Sequence, residues 1–285
     1  MTARSHLYVP GDKPEVLAKA LGRGADALLI DLEDAVAPSA KASARATVAA
    51  FLASADPHGD VELWVRVNPG PDGLDDIEAV AAAAMRGVVL AKAETPGDVA
   101  AASAVLGGVE SRLRLPSGSI GIVPLLESAG AVLDARAIAS ASPRVRRLQV
   151  GEADLRADIG VTLGDDEREL LTVRSMVVLA SAAAGIEPPV GPVSTQFTDL
   201  DALRDSTRAL ARLGYVGRAC IHPAQCAVVN EVFTPSAEQV AAARDLVARY
   251  ESAIAAGQGV FTDDRGRMVD LAVVRAAHRT LALAR

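Results

Sequence analysis

Short apolar runs of strand length and longer runs of helical spacing alternate eight times along this chain, with no long structureless gap between them. A parallel sheet whose crossovers are helices meets that pattern, and eight repeats are the number that closes a (β/α)8, or TIM, barrel. The strand-like runs are 7–9, 27–30, 63–68, 88–92, 120–126, 147–150, an irregular 188–193, and 217–221. Helices are predicted over 13–21, 40–52, 74–85, 96–106, 129–139, 165–184 and 199–213, then a short one and a longer one over 236–255. Asp12 stands where it would cap the first helix, and Thr95-Pro96 has the cap-then-proline form that opens the fourth. An α/β TIM barrel over residues 1–257 is therefore expected, with an open doubly wound sheet as the competing topology. Residues 258–285 read as an appendix: a small hairpin over 260–268 around Arg265-Gly266, then a helix from Asp270. Following a completed barrel, it is expected to pack over the site or on a neighbouring subunit.

Composition narrows the function classes. Half of the 285 residues are apolar, so one large core forms without staples. Aromatic residues are only 3%, which argues against stacking platforms for bases, and the net charge of −7 argues against a general nucleic-acid binder. No apolar run approaches membrane-spanning length and the first residues lack a signal-peptide core, so a soluble, cytoplasmic protein is expected. Cys220 and Cys226 have neither a disulfide framework nor a zinc-ligand spacing and read as reduced thiols.

The pattern that points to chemistry is positional. Inferred strands end in Asp31, Glu33 and Asp34; in Arg66 and Asn68; in Lys92 and Glu94; in Glu127; in Glu152 and Asp154; and in His222. Solvated loop charge accounts for some of these, but in a barrel all such ends converge on the face that carries the site. Glu127 and Asp154 follow adjacent strands, so their carboxylates can approach. Side by side and bare, one would be driven to neutrality, whereas a divalent cation removes the repulsion. Oxygen ligands without His or Cys favour Mg2+ over zinc; a salt-bridged acidic cluster is the alternative. Arg66, flanked by apolar neighbours in Trp64-Val65-Arg66-Val67-Asn68, can clamp a carboxylate or a developing enolate. It can equally pair with Asp31 or Glu33, and the acids would then orient it, with Asp34 beside them. His222, opening a proline turn, suits a structural role as well as a catalytic one. Gly22-Arg23-Gly24-Ala25-Asp26-Ala27 fits a loose dinucleotide fingerprint but lies before a strand instead of after one, so it is set aside.

Together these segments carry a resemblance. Arg4-Ser5-His6-Leu7-Tyr8-Val9-Pro10-Gly11, then Asp31-Leu32-Glu33-Asp34-Ala35-Val36 with Lys41 and Arg45 behind it, are similar to the citrate lyase beta-subunit-like proteins. So are Val65-Arg66-Val67-Asn68, Lys92-Ala93-Glu94, Leu126-Glu127-Ser128-Ala129, Gly151-Glu152-Ala153-Asp154-Leu155 and Ile221-His222-Pro223-Ala224-Gln225, in the right order over nearly the whole chain. The larger group is the HpcH/HpaI aldolases and CoA-ester lyases. The resemblance implies a TIM barrel, a trimer or a multiple of it, that uses Mg2+ to cleave or form a C–C bond in a 3-hydroxyacyl-CoA of malyl, citramalyl or citryl type, with an oxoacid as the second small molecule. It implies Glu127 and Asp154 as metal ligands, with Glu127 also in contact with substrate, and Arg66 as the acyl-binding and catalytic arginine. Gly266-Arg267-Met268-Val269-Asp270 resembles the segment that supplies a catalytic aspartate from a neighbouring subunit, which makes Asp270 the expected base. Lys13, Lys19, Lys41 and Arg45 are candidates for the CoA phosphates. The same motif set serves a malyl-CoA-type thioesterase and a citrate lyase subunit acting on an acyl carrier protein; a non-catalytic, partner-binding barrel would be expected to have lost it.

Overall fold

The computed structural model describes residues 2–263 and 266–284. Contacts divide the chain between 230 and 231 into two compact units, one of residues 3–230 and one formed chiefly by 231–285. The first runs β1 (Ser5–Pro10), α1 (Pro14–Ala20), β2 (Ala27–Asp31), α2 (Lys41–Ser54), β3 (Glu62–Val67), α3 (Gly70–Val80), β4 (Met85–Leu90), α4 (Pro96–Leu113) and β5 (Gly121–Leu126). It continues through α5 (Ala129–Leu133), α6 (Ala135–Ala139), β6 (Gln149–Val150), α7 (Glu152–Ile159), α8 (Leu171–Ala184), β7 (Val190–Gly191), α9 (Leu200–Leu213), β8 (Gly217–Cys220) and most of α10 (Pro223–Phe233), whose last turn crosses the division. The eight strands form a closed barrel in sequence order. All pairings are parallel, and β1 pairs with β2 on one side and β8 on the other, which rules out the open doubly wound sheet.

Strand alternation decides what the barrel encloses. Successive side chains on a strand face opposite ways, so residues two apart share a face. Ala27 and Leu29 of β2, Trp64 of β3, Val89 of β4, and Val123 and Leu125 of β5 form one buried cluster, with Tyr8 of β1 packed against it. Two residues beyond Leu29, Trp64 and Leu125 come Asp31, Arg66 and Glu127. The face that is apolar in the barrel's middle thus becomes charged at its C-terminal rim.

Several boundaries differ from the sequence expectation for local reasons. Asp12 does not cap α1: Pro14 opens the helix, Lys13 takes the N-cap position, and no side chain caps it. The helix expected over 74–85 begins earlier, at Gly70, and ends at Val80, since Pro71 suits a helix's first turn. Gly73 then lets that helix press on its strand, because a Cβ there would stand 1.9 Å from the Asn68 carbonyl oxygen. The helix expected over 129–139 is broken at Asp134 into α5 and α6. The one expected from Asp165 starts at Leu171, after a 3-10 turn at Arg168–Leu170. The carboxylate-rich end of β6 was not expected to be helical, but it forms the first turn of α7, where negative charge meets the helix's positive end.

The second unit contains α11 (Ala237–Ala255), opened by a capping box of Ser236 and Gln239, β9 (Phe261–Thr262), β10 (Met268–Val269) and α12 (Leu271–Leu283). β9 and β10 pair antiparallel, as the expected hairpin requires, and α11 packs on α12. The turn residue Arg265 lies outside the described residues. The sequence-based boundary at 257/258 falls inside this unit, between α11 and β9. Among the described residues no helix is long and apolar enough to cross a membrane.

Candidate active site

A cavity of about 450 Å³ opens at the C-terminal end of the barrel, lined by Tyr8, Asp31, Asp34, Arg66, Glu127, Gln149, Gly151, Glu152, Val193 and Ile221 among others. Arg66 is its best-held charge. Nε and Nη2 grip the two oxygens of Asp31 at 2.7 and 2.6 Å, and Nη1 reaches Glu33 at 2.9 Å. Its guanidinium lies 5.0 Å from the centre of the Tyr8 ring, a cation–π contact. Burial opposes the Arg66 charge, but the fork on Asp31 and the neighbouring Tyr8 and Glu33 outweigh it, so the pKa rises. Asp31 is itself fixed by the N–H groups of Glu33 and Ala35, at 2.8 and 3.1 Å. A guanidinium held in this way cannot swing, so its remaining donors are preorganised for an anion.

Glu127 faces the cavity from the end of β5 and is only 7% exposed. Burial raises its carboxyl to about 7, the Lys92 N–H donated to Oε2 at 2.8 Å works against that rise, and the charges of Asp154 and Glu33 add to it. Gly151 makes room for the side chain, since a Cβ at that position would stand 2.5 Å from both Cγ and Oε1 of Glu127. Asp154, in the first turn of α7, has a side chain 47% exposed, with Oδ2 3.7 Å from Lys92 Nζ. Lys92 joins the two halves of the site: its Nζ meets Glu33 Oε1 at 2.6 Å, while the other Glu33 oxygen holds Arg66.

These residues fit a hard divalent cation. The donors are carboxylate oxygens only, and one is driven towards neutrality by burial and by its neighbour, a cost that a cation of charge +2 reverses. No cluster of three or more His, Cys, Asp or Glu that could hold a metal occurs among the described residues.

Residues 4–223 match the family model described as HpcH/HpaI aldolase/citrate lyase. The chain belongs to that family. A citrate lyase subunit beta of Leuconostoc mesenteroides subsp. cremoris is 33% identical over 287 residues, covering 99% of this chain and 93% of that protein. A (3S)-malyl-CoA thioesterase of Cereibacter sphaeroides is 35% identical over 284 residues, covering 99% and 94%. Among solved structures, protein CitE of Mycobacterium tuberculosis in complex with magnesium, acetoacetate and coenzyme A superposes with a TM-score of 0.76 at 30% identity, over 98% of this chain and 97% of that one.

Of the residues that the sequence marks in this HpcH/HpaI member, Asp31, Glu33, Asp34, Arg66, Glu127 and Asp154 gather at one rim. Lys41 and Arg45 do not line the cavity. The Lys41 ammonium donates to the Leu32 and Glu33 carbonyls and to Asn68 Oδ1, at 2.7, 2.6 and 2.8 Å. Arg45 pairs with buried Asp76 at 2.5 Å and donates to the Asp72 carbonyl. Lys41 thus straps the loop after β2 that carries the acids holding Arg66, and Arg45 ties α2 to α3; phosphate binding is the role that the resemblance implies for both. Lys13 is exposed, with Asp12 3.7 Å away. Asp270 caps α12, its Oδ1 accepting from Ala272 and Val273 N–H at 2.9 and 3.1 Å. His222 stacks on Phe197, and its Nδ1 accepts the Ala224 N–H at 3.2 Å, a loop-fixing arrangement. Glu152 is held in a fork by Arg174, at 2.6 and 2.8 Å. Sequence reasoning missed Tyr8, Gln149 and Gly151 as site residues. Tyr8 packs on the inward cluster and Gln149 donates to its hydroxyl at 3.3 Å; the inward parity of the strands was the available signal.

Proposed function

We propose that this protein is a Mg2+-dependent carbon–carbon lyase that cleaves or forms the bond between an oxoacid and the α-carbon of an acyl-CoA. The observation that carries it is Arg66, locked by Asp31 and Glu33, in the same cavity as buried Glu127 with Asp154 close by. A lyase of this kind must hold an α-hydroxy or α-keto acid at one place and an enolate oxygen at another, and the two clusters answer those needs. The magnesium, acetoacetate and coenzyme A bound by the Mycobacterium tuberculosis relative support the reading.

Glu127 and Asp154 would hold Mg2+, which when bound polarises a substrate oxygen and lowers a hydroxyl's pKa. A base then removes the hydroxyl proton, and Asp270 from the second unit of a neighbouring copy is the proposed acceptor. As the C–C bond breaks, its electron pair passes to the thioester's α-carbon and charge collects on the thioester oxygen. Arg66 donates to that oxygen. Because Asp31 and Glu33 already fix the guanidinium, little reorganisation is needed as charge develops. Protonation of the α-carbon completes the acyl-CoA, and the oxoacid leaves. Lys13 is proposed to meet CoA phosphate, since its ammonium stays exposed while the Lys41 ammonium and the Arg45 guanidinium are engaged. Assembly as a cytoplasmic homotrimer, with residues 258–285 packing on a neighbour, belongs to the same reading.

The test is purified protein with Mg2+ and malyl-, citramalyl- and hydroxymethylglutaryl-CoA, following oxoacid and free thiol. Oxoacid without thiol is expected. Thiol release instead would favour a thioesterase, the activity named for a relative 35% identical to this chain. Neither product from any ester, with folded protein, would refute the reading. Mixed oligomers of Asp270→Ala and Arg66→Ala subunits should regain activity; no recovery refutes a base supplied in trans.

A further inference from the structure

The mechanism above gives Lys92 no role, yet Lys92 has the least ordinary conformation at the rim. Its φ is 49°, in the left-handed region that a residue with a Cβ rarely occupies. Where only such a backbone is wanted, glycine is the economical choice; a lysine there means that its side chain is used too. Both parts have partners. The strained peptide donates its N–H to Glu127 Oε2 at 2.8 Å. The ammonium lies 2.6 Å from Glu33 Oε1, and the opposite oxygen of Glu33 is 2.9 Å from Arg66 Nη1. The same ammonium is 3.7 Å from Asp154 Oδ2.

We propose that Lys92 is a positioning residue that sets the spacing between the Glu127–Asp154 pair and Arg66 through two separable parts. The backbone amide orients the Glu127 carboxylate. The ammonium holds Glu33 and, through it, the guanidinium. The inference rests on the proposed function for its kinetic arm and on the metal assignment for its binding arm.

Full-length protein carrying Lys92→Gly, Lys92→Met, Lys92→Val or Lys92→Arg separates the parts, with Mn2+ binding to the metal-free protein measured by calorimetry and lyase kinetics measured in parallel. Gly keeps the left-handed backbone and loses the ammonium. It should bind Mn2+ within about threefold of wild type, while kcat falls by about tenfold or more through misplacement of Arg66. Met should lose kcat similarly, and Arg should recover part of it by donating to Glu33. Val, β-branched and poorly suited to positive φ, should turn the amide from Glu127 and weaken Mn2+ binding about tenfold, as loss of a ligand's supporting hydrogen bond does. If Val does not fold, Thr, also β-branched, makes the same comparison. Wild-type kinetics in Gly and Met, or wild-type Mn2+ affinity in a folded Val or Thr variant, overturns the inference. Glu127→Ala is the control: undiminished Mn2+ binding there refutes the metal assignment itself, whereas weakened binding there beside an unaffected Val variant refutes only the role of Lys92.

Discussion

Replacing Glu127 with Gln keeps the side chain's shape and an acceptor for the Lys92 N–H, but removes the charge that burial disfavours. In the metal-free protein the carboxyl ionises at about 7, against an ordinary 4.5. Below 4.5 it is protonated whether the chain is folded or not. Between those values the unfolded chain ionises it and the folded one does not, so unfolding releases a proton and stability falls as pH rises. Above about 7 the loss is complete, and by linkage a displacement of that size amounts to about 3 kcal/mol. Glu127→Gln should therefore be near-neutral at pH 4.5 and progressively more stable than wild type up to pH 8.5, by about 3 kcal/mol at the limit. Urea unfolding in EDTA at fixed protomer concentration measures the difference. Mg2+ added at pH 8.5 should then raise wild type by about 2.7 kcal/mol at a hundredfold excess over Kd, with little effect on Glu127→Gln. A wild-type-to-mutant difference that does not change with pH would refute the claim that Glu127 is buried against its charge.

Two further substitutions test the scaffold of the site. Gly151→Ala places a Cβ 2.5 Å from Glu127 Cγ and Oε1, and the Gly151 N–H is tied to the Leu126 carbonyl, so the carboxylate must move. Thermal and urea melts should show a loss of about 1–3 kcal/mol, the usual cost of overpacking, together with weaker Mn2+ binding; unchanged Mn2+ affinity would count against the crowding. Arg174→Met leaves Glu152 buried without its fork and should cost about 3–5 kcal/mol in urea unfolding, most of it recovered in a Glu152→Leu/Arg174→Met double variant. Equal losses in the single and double variants would show that the pair is not the cause.

By itself, the sequence determined the strand count, the order of the elements and the residues that end strands. Short apolar runs that alternate with runs of helical spacing fit the strands of a parallel sheet, and a charge following such a strand lies at its exit. That sufficed for an eight-stranded barrel and for Glu127, Asp154, Arg66 and Asp31 on one face. It did not show what each charge is used for, because a side chain's partners depend on register and loop path. Lys41 and Arg45 read as available cations, yet the fold spends them on the Leu32 and Glu33 carbonyls, Asn68 and Asp76. Glu152 and Asp154 are two residues apart in sequence, but α7 turns one towards Arg174 and leaves the other at the rim. The space beside Gly151 and the left-handed turn at Lys92 are properties of neighbouring strands brought together. Only the closed barrel, pairing β1 with β8, sets such distances, since they join residues that the chain itself keeps far apart.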